Sequence, residues 1–219
     1  MDIWDTGKAD MENLNFYSVD LDYVNSLKRI EKEKRGFSRV PDMEYGDSRK
    51  PKFLCGIVLQ INDQDYYVPV TSYKQQKPDN FLIQAKNGRV VSSLRFNYMF
   101  PVPKALISKR EIASEPDAAY RALLAQELRF CIKNQDTIRN LAERTYRRVL
   151  LGKDPGLIAN SCDFRLLEEH CCSYTKESHD ITKKKLSLDT LMLNQSVEKP
   201  GCASSSNRVL SIIVEKMQS

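Results

Sequence analysis

Two hydroxyl side chains and an ammonium group follow one another directly after a predicted strand, in the segment from Thr71 to Lys74. Loops at the ends of strands commonly carry functional groups. Lys52 stands just before the preceding predicted strand, and an antiparallel hairpin brings the start of one strand beside the end of its partner. The order of these residues therefore allows Lys52, Ser72 and Lys74 to converge. Taken alone, a Thr-Ser-x-Lys tetrapeptide is more typical of a polar strand exit without a chemical role.

The chain offers few residues for the commoner kinds of acid–base and metal chemistry. Histidine is the usual general acid or base because its pKa lies near neutral pH, and this sequence has only His170 and His179. A mechanism that relies on a pair of histidines is therefore disfavoured. Asp63 and Asp65 fall in a predicted hairpin turn, where Asp is favoured for backbone reasons. The sequence shows neither a set of converging acids for a two-metal site nor a phosphate-binding glycine motif.

Six cysteines occur without a C-x-x-C pair, at Cys55, Cys131, Cys162, Cys171, Cys172 and Cys202. Zinc sites need closely spaced thiolate or imidazole ligands. The Cys171-Cys172 pair beside His170 is the nearest approach to such a cluster, but free thiols in a reducing compartment explain these residues more simply. We therefore predict no bound metal and no cofactor.

The composition is typical of a soluble globular protein. Hydrophobic residues make up 41% and charged residues 29% of the 219 residues, which is too apolar for a disordered chain. No apolar run approaches the roughly 20 residues of a membrane span, and the N-terminus lacks the apolar segment of a secretory signal. We therefore expect a cytoplasmic protein. The net charge of +5 and the pI near 8.8 favour, without proving, a polyanion as partner.

A short strand and a helix are predicted ahead of the segment that carries Lys52. Residues 16–19 are typical of a strand. Asp20 or Asp22 can cap a following helix, which the apolar spacing continues until Gly36.

Two hairpins follow. The β-branched run 53–61 and the run 66–70 predict the first hairpin. Residues 81–85 and 90–96 predict the second, around the dipeptide 87–88, because Asn-Gly is favoured in type I′ turns.

The second half of the chain is mostly helical in pattern. Residues 97–102 predict one more strand, and residues 114–117 carry the capping and proline signals of a helix start. A second helical stretch covers 138–150 and ends at Gly152. Residues 162–168 begin a short third helix.

These elements predict a single α+β domain over residues 16–172, in which helices pack on a small antiparallel, barrel-like sheet. Residues 1–15 are predicted to form a polar leader. Residues 173–219 are predicted to form a loosely ordered C-terminal tail, because little hydrophobic periodicity is sustained there.

Six segments carry a family resemblance that extends over about residues 16–170, namely 16–19 with Tyr23, 52–59, 68–74, 94–102, 126–130 and 162–168. In this order and spacing they resemble the ToxN/AbiQ family, the protein toxins of type III toxin–antitoxin systems. The resemblance implies a sequence-selective bacterial endoribonuclease with a fold similar to the MazF/Kid toxins. It also implies inhibition by a repeat-derived RNA pseudoknot, in closed assemblies of alternating protein and RNA, and cellular and phage messenger RNA as substrates. Tyr73 departs from members that have proline in this turn.

The resemblance assigns the active site to Tyr23, Lys52, Thr71, Ser72 and Lys74. The reaction it implies is attack of an RNA 2′-OH on the neighbouring phosphorus, which leaves a 2′,3′-cyclic phosphate and a 5′-OH. Lys52 and Lys74 would stabilise the negative charge that builds on the phosphoryl oxygens. Thr71 and Ser72 would donate hydrogen bonds or orient the 2′-OH, and Tyr23 would position the phosphate or assist proton transfer. The identity of the general base stays open.

Two basic clusters elsewhere fit RNA binding, Arg144 with Arg147 and Arg148, and Lys28 with Arg29 and Lys32. The spacing of three and four residues places the three arginines on one helix face. Lys28, Arg29 and Lys32 form the other stripe, near Tyr23. A solvated charged face explains each cluster about as well. An RNA affinity that falls steeply with salt would favour the binding role.

Two other functions stay open. The first is a non-catalytic RNA-binding module, which would bind RNA through the same basic grooves without cleaving it. The second is a domain that interacts only with proteins, which would purify without nucleic acid.

Overall fold

In the computed structural model, which describes residues 12–44 and 52–174, seven strands form one antiparallel sheet. The strands are β1 (Asn15–Val19), β2 (Leu54–Ile61), β3 (Gln64–Thr71), β4 (Asn80–Gln84), β5 (Val90–Arg95), β6 (Phe100–Pro101) and β7 (Ile107–Lys109). Their order is β4-β5-β3-β2-β1-β7, and β6 pairs with β3 off this path. The α+β class is confirmed, and over these residues the sheet is open, with β4 and β7 at its ends.

Five helices accompany the sheet: α1 (Leu21–Arg35), α2 (Ala118–Lys133), α3 (Gln135–Leu150), α4 (Pro155–Ala159) and α5 over residues 164–174. The side chain of Asp20 caps α1 by accepting a hydrogen bond from the backbone N–H of Tyr23 at 2.9 Å, as one of the two predicted caps. Gly36 ends α1 in the left-handed conformation, with φ of 79°. No helix among the described residues is long and apolar enough to cross a membrane.

The β2–β3 hairpin follows the prediction. Asn62 and Asp63 form its turn with positive φ of 49° and 63°, which short polar side chains tolerate. The register changes between Cys55 and Leu59, next to Gly56. A Cβ atom on Gly56 would lie 2.2 Å from the ring of Tyr67, so the close approach of the two strands requires glycine here.

The β4–β5 hairpin is also confirmed, but the strand predicted over 97–102 is mostly a 3₁₀ turn, Phe96–Tyr98, followed by the two-residue strand β6. The reason is a pair of hydrogen bonds to a distant segment. The buried Asn97 side-chain amide donates to the backbone carbonyl oxygen of Asn160 at 2.6 Å, and the backbone carbonyl oxygen of Asn97 accepts from the N–H of Cys162 at 2.9 Å. These groups are therefore not available to a neighbouring strand.

Three features of the structure differ from the predicted elements. Pro116 precedes the cap Asp117 instead of lying in the first turn of α2, and α4 was not predicted. Within the predicted leader, Leu14 is fully buried in the core. The rest of the leader, residues 1–11, and the tail from residue 175 lie outside the described residues.

A buried carboxylate ties α1 to the loop that follows it. Glu31 is fully buried, and it accepts hydrogen bonds from the Arg35 guanidinium at 2.8 Å and from the Ser38 hydroxyl at 2.7 Å. It also accepts from the backbone N–H groups of Arg39 at 2.6 Å and Asp163 at 2.7 Å. Because a buried charge is stable only when it is paired, this network holds the loop after α1 in place.

Candidate active site

The register of the β2–β3 hairpin brings two candidate segments to one end of the sheet. The N–H of Val70 donates to the carbonyl oxygen of Phe53 at 3.1 Å, beyond the last ladder pair of β2 and β3. Lys52 directly precedes Phe53, and Thr71 directly follows Val70. The predicted antiparallel placement of these two segments is therefore confirmed at the level of the backbone. We call Lys52 together with Thr71 to Lys74 the open end of the hairpin.

Thr71 is held by a serine that the sequence pattern did not indicate. Its Oγ1 lies 3.2 Å from the Oγ of Ser93 in β5, and that Oγ donates to the carbonyl oxygen of Tyr73 at 2.6 Å. Because the Ser93 hydroxyl has one proton, Thr71 is the donor in the first contact. The two bonds fix the backbone turn. Ser93 is directly opposite Thr71 in the β3–β5 ladder, which the predicted strands did not pair.

Ser72 and Lys74 differ from Thr71 because they are exposed. Across residues 12–44 and 52–174, neither side chain makes a hydrogen bond or an ion pair with another residue. Their donors are therefore open to water and to a ligand. An ammonium group and a hydroxyl on one short turn can together contact the oxygens of a phosphate.

The Lys52 ammonium lies beside the loop that follows α1. It donates to the carbonyl oxygen of Asp42, and the Asp42 carboxylate lies 3.6 Å from the ammonium of Lys28. The pKa of the Asp42 carboxyl lies below its usual range, first because the N–H of Glu44 donates to it and then because Lys28 and Lys52 are near. Both lysines therefore share one acidic residue, and Lys28 of the predicted RNA-binding set lies next to the open end. Arg29 and Lys32 of the same set are exposed on α1.

Tyr23 lies in the core, in contrast to the exposed Ser72 and Lys74, and its catalytic role stays a prediction. Its side chain is fully buried, and its hydroxyl donates to the carbonyl oxygen of Pro101 at 2.8 Å. Burial raises the pKa of this hydroxyl well above its usual value, so it stays protonated. Tyr174 packs against its ring at 5.1 Å. Tyr23 connects α1 to β6 and supports the core, because the apolar face of α1 turns it inward together with Leu27.

Two of the three arginines of the predicted cluster on α3 form ion pairs with acids. Arg147 forms an ion pair with Glu143 at 2.6 Å, and Arg148 forms one with Asp154 at 2.8 Å. Arg144 is exposed and lies 3.4 Å from the carbonyl oxygen of Pro78. Two of the three guanidinium groups are therefore partly neutralised, which weakens the case for a shared phosphate contact.

His170 and Cys172, which the sequence places nearest to a metal-ligand set, make hydrogen bonds to different residues. Nε2 of His170 lies 2.9 Å from the Ser26 hydroxyl, and the Sγ of Cys172 accepts from the amide of Gln64 at 2.8 Å. Burial raises the pKa of Cys171 to about 11. Within the described ranges, no three His, Cys, Asp or Glu side chains gather as metal ligands do.

The chain is similar to a known protein family and to proteins of that family. The family model described as toxin ToxN of a type III toxin–antitoxin system matches residues 15–171. The endoribonuclease ToxN of Pectobacterium atrosepticum is 28% identical over 177 residues, which cover 76% of this chain and 97% of that protein. The endoribonuclease AbiQ of Lactococcus lactis subsp. lactis is 26% identical over 179 residues, which cover 75% of this chain and 91% of that protein.

A solved structure has a similar fold. It belongs to a study of bacterial type III toxin–antitoxin systems and of selective toxin inhibition by a non-coding RNA pseudoknot. The similarity has a TM-score of 0.65 and 26% sequence identity, and it covers 75% of this chain and 99% of that one. The similarity therefore covers the part of the chain that carries the open end, the sheet and the helices.

Proposed function

The chain belongs to the ToxN toxin family of type III toxin–antitoxin systems, and we propose that it is an endoribonuclease whose active site is the open end of the β2–β3 hairpin. The observation that carries this proposal is the hairpin register, which sets Lys52 beside a turn with an exposed hydroxyl and an exposed ammonium. Such a set suits a phosphodiester, because it combines positive charge with hydrogen-bond donors.

In the proposed reaction, the 2′-oxygen of RNA forms a bond to the adjacent phosphorus and the bond from phosphorus to the 5′-oxygen breaks. The products are a 2′,3′-cyclic phosphate and a 5′-OH, and the proton of the 2′-OH is passed on to the leaving oxygen. Lys52 and Lys74 stabilise the charge on the phosphoryl oxygens, which is greater in the transition state than in the substrate. Ser72 donates to the same oxygens or orients the 2′-OH.

Two members of the predicted site act through other groups in this proposal. Thr71 already donates to Ser93, so it holds the turn and reaches RNA only if that contact opens. Tyr23 supports β6 from inside the core and does not transfer a proton. The lysines supply the positive charge that a metal ion supplies in two-metal nucleases, and we therefore propose that no metal is needed.

The chemistry of the products tests this mechanism. Purified protein and a labelled single-stranded RNA are incubated with and without EDTA, and the fragment ends are identified by direct kinase labelling of 5′-OH groups. We expect cyclic phosphate and 5′-OH ends, unchanged cleavage in EDTA, and no cleavage where the scissile nucleotide lacks its 2′-OH. Products with a 5′-phosphate, or cleavage of the 2′-deoxy substrate, would contradict the mechanism. Loss of activity in EDTA would contradict metal independence.

The assignment to the open end has its own test. Lys52→Ala is expected to lower the cleavage rate by a factor on the order of 100 to 1,000, as the loss of one charge-stabilising donor does in other enzymes. Lys86→Ala, which removes an exposed lysine in the β4–β5 turn, is the matched control. Equal rates for both variants would show that Lys52 is not part of the site. RNA that is bound by the wild-type protein but never cleaved would favour the non-catalytic module.

We further propose that an RNA pseudoknot derived from tandem repeats inhibits this protein, as the study of the similar solved structure describes for a toxin of such a system. Lys28, beside Lys52, and the exposed residues Arg29, Lys32 and Arg144 are the cations we expect at this RNA surface. We also propose that protein and RNA alternate in closed assemblies and that the sheet is similar to that of the MazF/Kid toxins. The proposed substrates are messenger RNAs of the cell and of phage, and the proposed location is the bacterial cytoplasm.

Co-expression with the genomic region upstream of the coding sequence tests the inhibitor. We expect RNA to co-purify, a mass by light scattering that equals several protein–RNA pairs, and an affinity that falls steeply with salt. Lys28→Ala should weaken this binding, whereas Lys109→Ala, on the exposed side of β7, should not. Inhibition by RNA would be contradicted if the protein purified free of nucleic acid and if cells tolerated its expression without the upstream region.

A further inference from the structure

An arginine next to the open end contacts two tyrosine rings. The guanidinium carbon of Arg95 is 4.9 Å from the centre of the Tyr73 ring and 4.6 Å from the centre of the Tyr98 ring. Arg95 is the last residue of β5, and Tyr98 ends the 3₁₀ turn that follows. Cation–π contact with two rings holds a guanidinium in one position and leaves its N–H groups as the means of further contact.

The N–H groups of Arg95 have no partner within the described part of the chain. The side chain makes no hydrogen bond or ion pair there, and its buried Nε is without an acceptor. A buried donor without a partner costs free energy, and a charged one costs more. The side chain is half-buried, so the remaining donors on its outer edge reach a neighbouring cavity.

That cavity has a volume of about 350 Å³, and Arg95 and Tyr98 line one side of it. Lys77 and Arg148 add two further cations to its wall, whereas Asp79 and Asp154 are its acids. The Arg148–Asp154 ion pair neutralises one charge of each sign, at 2.8 Å. The volume falls at the lower end of the range of about 300–1,000 Å³ that small-ligand sites occupy, which suits a single nucleotide.

The stack is joined to the open end through covalent and hydrogen bonds. Tyr73 lies between Ser72 and Lys74 in the turn, and its carbonyl oxygen accepts from Ser93, two residues before Arg95 in β5. A nucleotide on the Tyr73 ring would therefore lie beside the turn that carries Ser72 and Lys74. RNA-binding proteins hold unstacked bases in the same way, on aromatic rings and guanidinium planes.

We propose that Tyr73, Arg95 and Tyr98, with the adjoining cavity, form a nucleotide subsite that receives the residue next to the scissile phosphate of single-stranded RNA. Arg95 donates from its edge to a pair of acceptors on that nucleotide, which are either the O6 and N7 atoms of a guanine or two phosphate oxygens. The subsite rests on the proposed endoribonuclease function, and it contributes to the sequence specificity of cleavage.

Two variants and one control test the subsite. Arg95→Lys keeps the charge but loses the planar pair of donors, and Tyr98→Leu removes one ring of the stack without changing charge. Arg89→Lys makes the same chemical change at an exposed arginine in the β4–β5 turn. Each protein is assayed on RNA with randomised sequence, and the nucleotides beside the cleaved bonds are counted. Binding of a 2′-deoxy-substituted, uncleavable strand is measured in parallel.

Recognition of a base edge predicts that Arg95→Lys loses the preference at one position beside the cut and cleaves the preferred RNA slower by on the order of 10- to 100-fold. Recognition of the phosphate predicts an unchanged preference, a higher KM with similar kcat, and a shallower dependence of binding on salt. Tyr98→Leu should repeat either result in weaker form, and it decides the matter if Arg95→Lys does not fold.

The subsite is overturned if Arg95→Lys and Tyr98→Leu match Arg89→Lys in preference, KM and binding. Failure of the proposed function looks different. Wild-type protein would then cleave no RNA, and the binding measurements on the uncleavable strand would still show whether Arg95 contacts a nucleotide.

Discussion

The two ends of the β2–β3 hairpin belong to the same pair of strands but differ in the burial and pairing of their polar side chains. Near the turn, the hydroxyls of Tyr66 and Tyr146 both donate to one carboxylate oxygen of Glu168, at 2.6 and 2.7 Å. At the open end, Ser72 and Lys74 are exposed and have no partner among the described residues. The turn end is closed by α3 and α5, which supply Tyr146 and Glu168. The turn after β3 instead accepts a hydrogen bond from the Ser93 hydroxyl of β5, and its Tyr73 ring contacts the Arg95 guanidinium.

This difference shows where the molecule can carry out chemistry. A polar group that is buried must be paired inside the protein, so its donors are already in use. A polar group at an exposed strand end is paired by water, which a substrate can displace. We therefore propose that the turn end contributes stability and the open end contributes activity. Changes at the two ends should separate cleavage from folding.

The largest expected effect is on cleavage, at the open end. Lys74→Ala should lower the cleavage rate by about 100- to 1,000-fold, because it removes a cation that we propose stabilises the phosphoryl oxygens. The unfolding midpoint should stay within experimental error, because the Lys74 side chain has no partner to lose in the described part of the chain. Cleavage assays and thermal denaturation measure the two quantities. A large loss of stability in this variant would break the proposed division between the ends.

The next largest effect is on stability, at the turn end. Glu168→Ala should lower the free energy of unfolding by about 2–4 kcal/mol, because two buried tyrosine hydroxyls lose their acceptor. Chemical denaturation measures this change, and Glu169→Ala at the exposed neighbouring position is the control. Cleavage per folded molecule should match the wild type. A strong fall in that rate would mean that the two ends are coupled.

An intermediate effect is expected where the two roles meet. Ser93→Ala removes the hydroxyl that donates to the Tyr73 carbonyl oxygen and accepts from Thr71. We expect a loss of stability of about 1 kcal/mol, together with a smaller fall in cleavage than Lys74→Ala causes. Ser93→Thr, which keeps the hydroxyl, should recover most of the cleavage rate, and Ser108→Ala, at an exposed position of β7, is the control. Unchanged cleavage in Ser93→Ala would show that the turn needs no support.

The smallest effect concerns a buried carboxyl with a single partner. Burial raises the pKa of Glu127, and the hydrogen bond from Ser92 at 2.7 Å opposes that rise only in part. The folded protein therefore binds this proton more tightly than the unfolded chain. The contribution of this group to stability is complete below the ordinary pKa near 4.5 and is lost as pH rises through the folded value.

Glu127→Gln cannot ionise and keeps the oxygen that Ser92 contacts. It should therefore be more stable than the wild type at about pH 8, with a gap that narrows as pH falls towards about 4.5. Thermal unfolding of both proteins across this range measures the gap. A gap that does not change with pH would show that the pKa of Glu127 is the same in the folded protein and in the unfolded chain.

Local features of the fold were predictable from the chain itself. The turn at Asn62 and Asp63, the cap Asp20 and the end of α1 at Gly36 depend on residues a few positions apart. The antiparallel pairing of β2 and β3 follows from their short connection, and it alone brings Lys52 to the end of β3. The type and placement of Lys52, Ser72 and Lys74 therefore follow from the order of residues along the chain.

The environment of each side chain was not predictable in this way. Tyr23 has the spacing of a helix residue that could face in or out, and only its contact with Pro101, 78 positions away, decides that it is buried. Arg148 has its acid in Asp154 after the end of α3, and the Tyr73–Arg95–Tyr98 stack joins two strands through a 3₁₀ turn that was predicted as a strand. Turns and caps are set by neighbours along the chain, whereas burial and pairing depend on which distant segments pack together. For this protein, the sequence by itself therefore determined which residues reach the open end, and the tertiary structure decided which of them are exposed to a substrate.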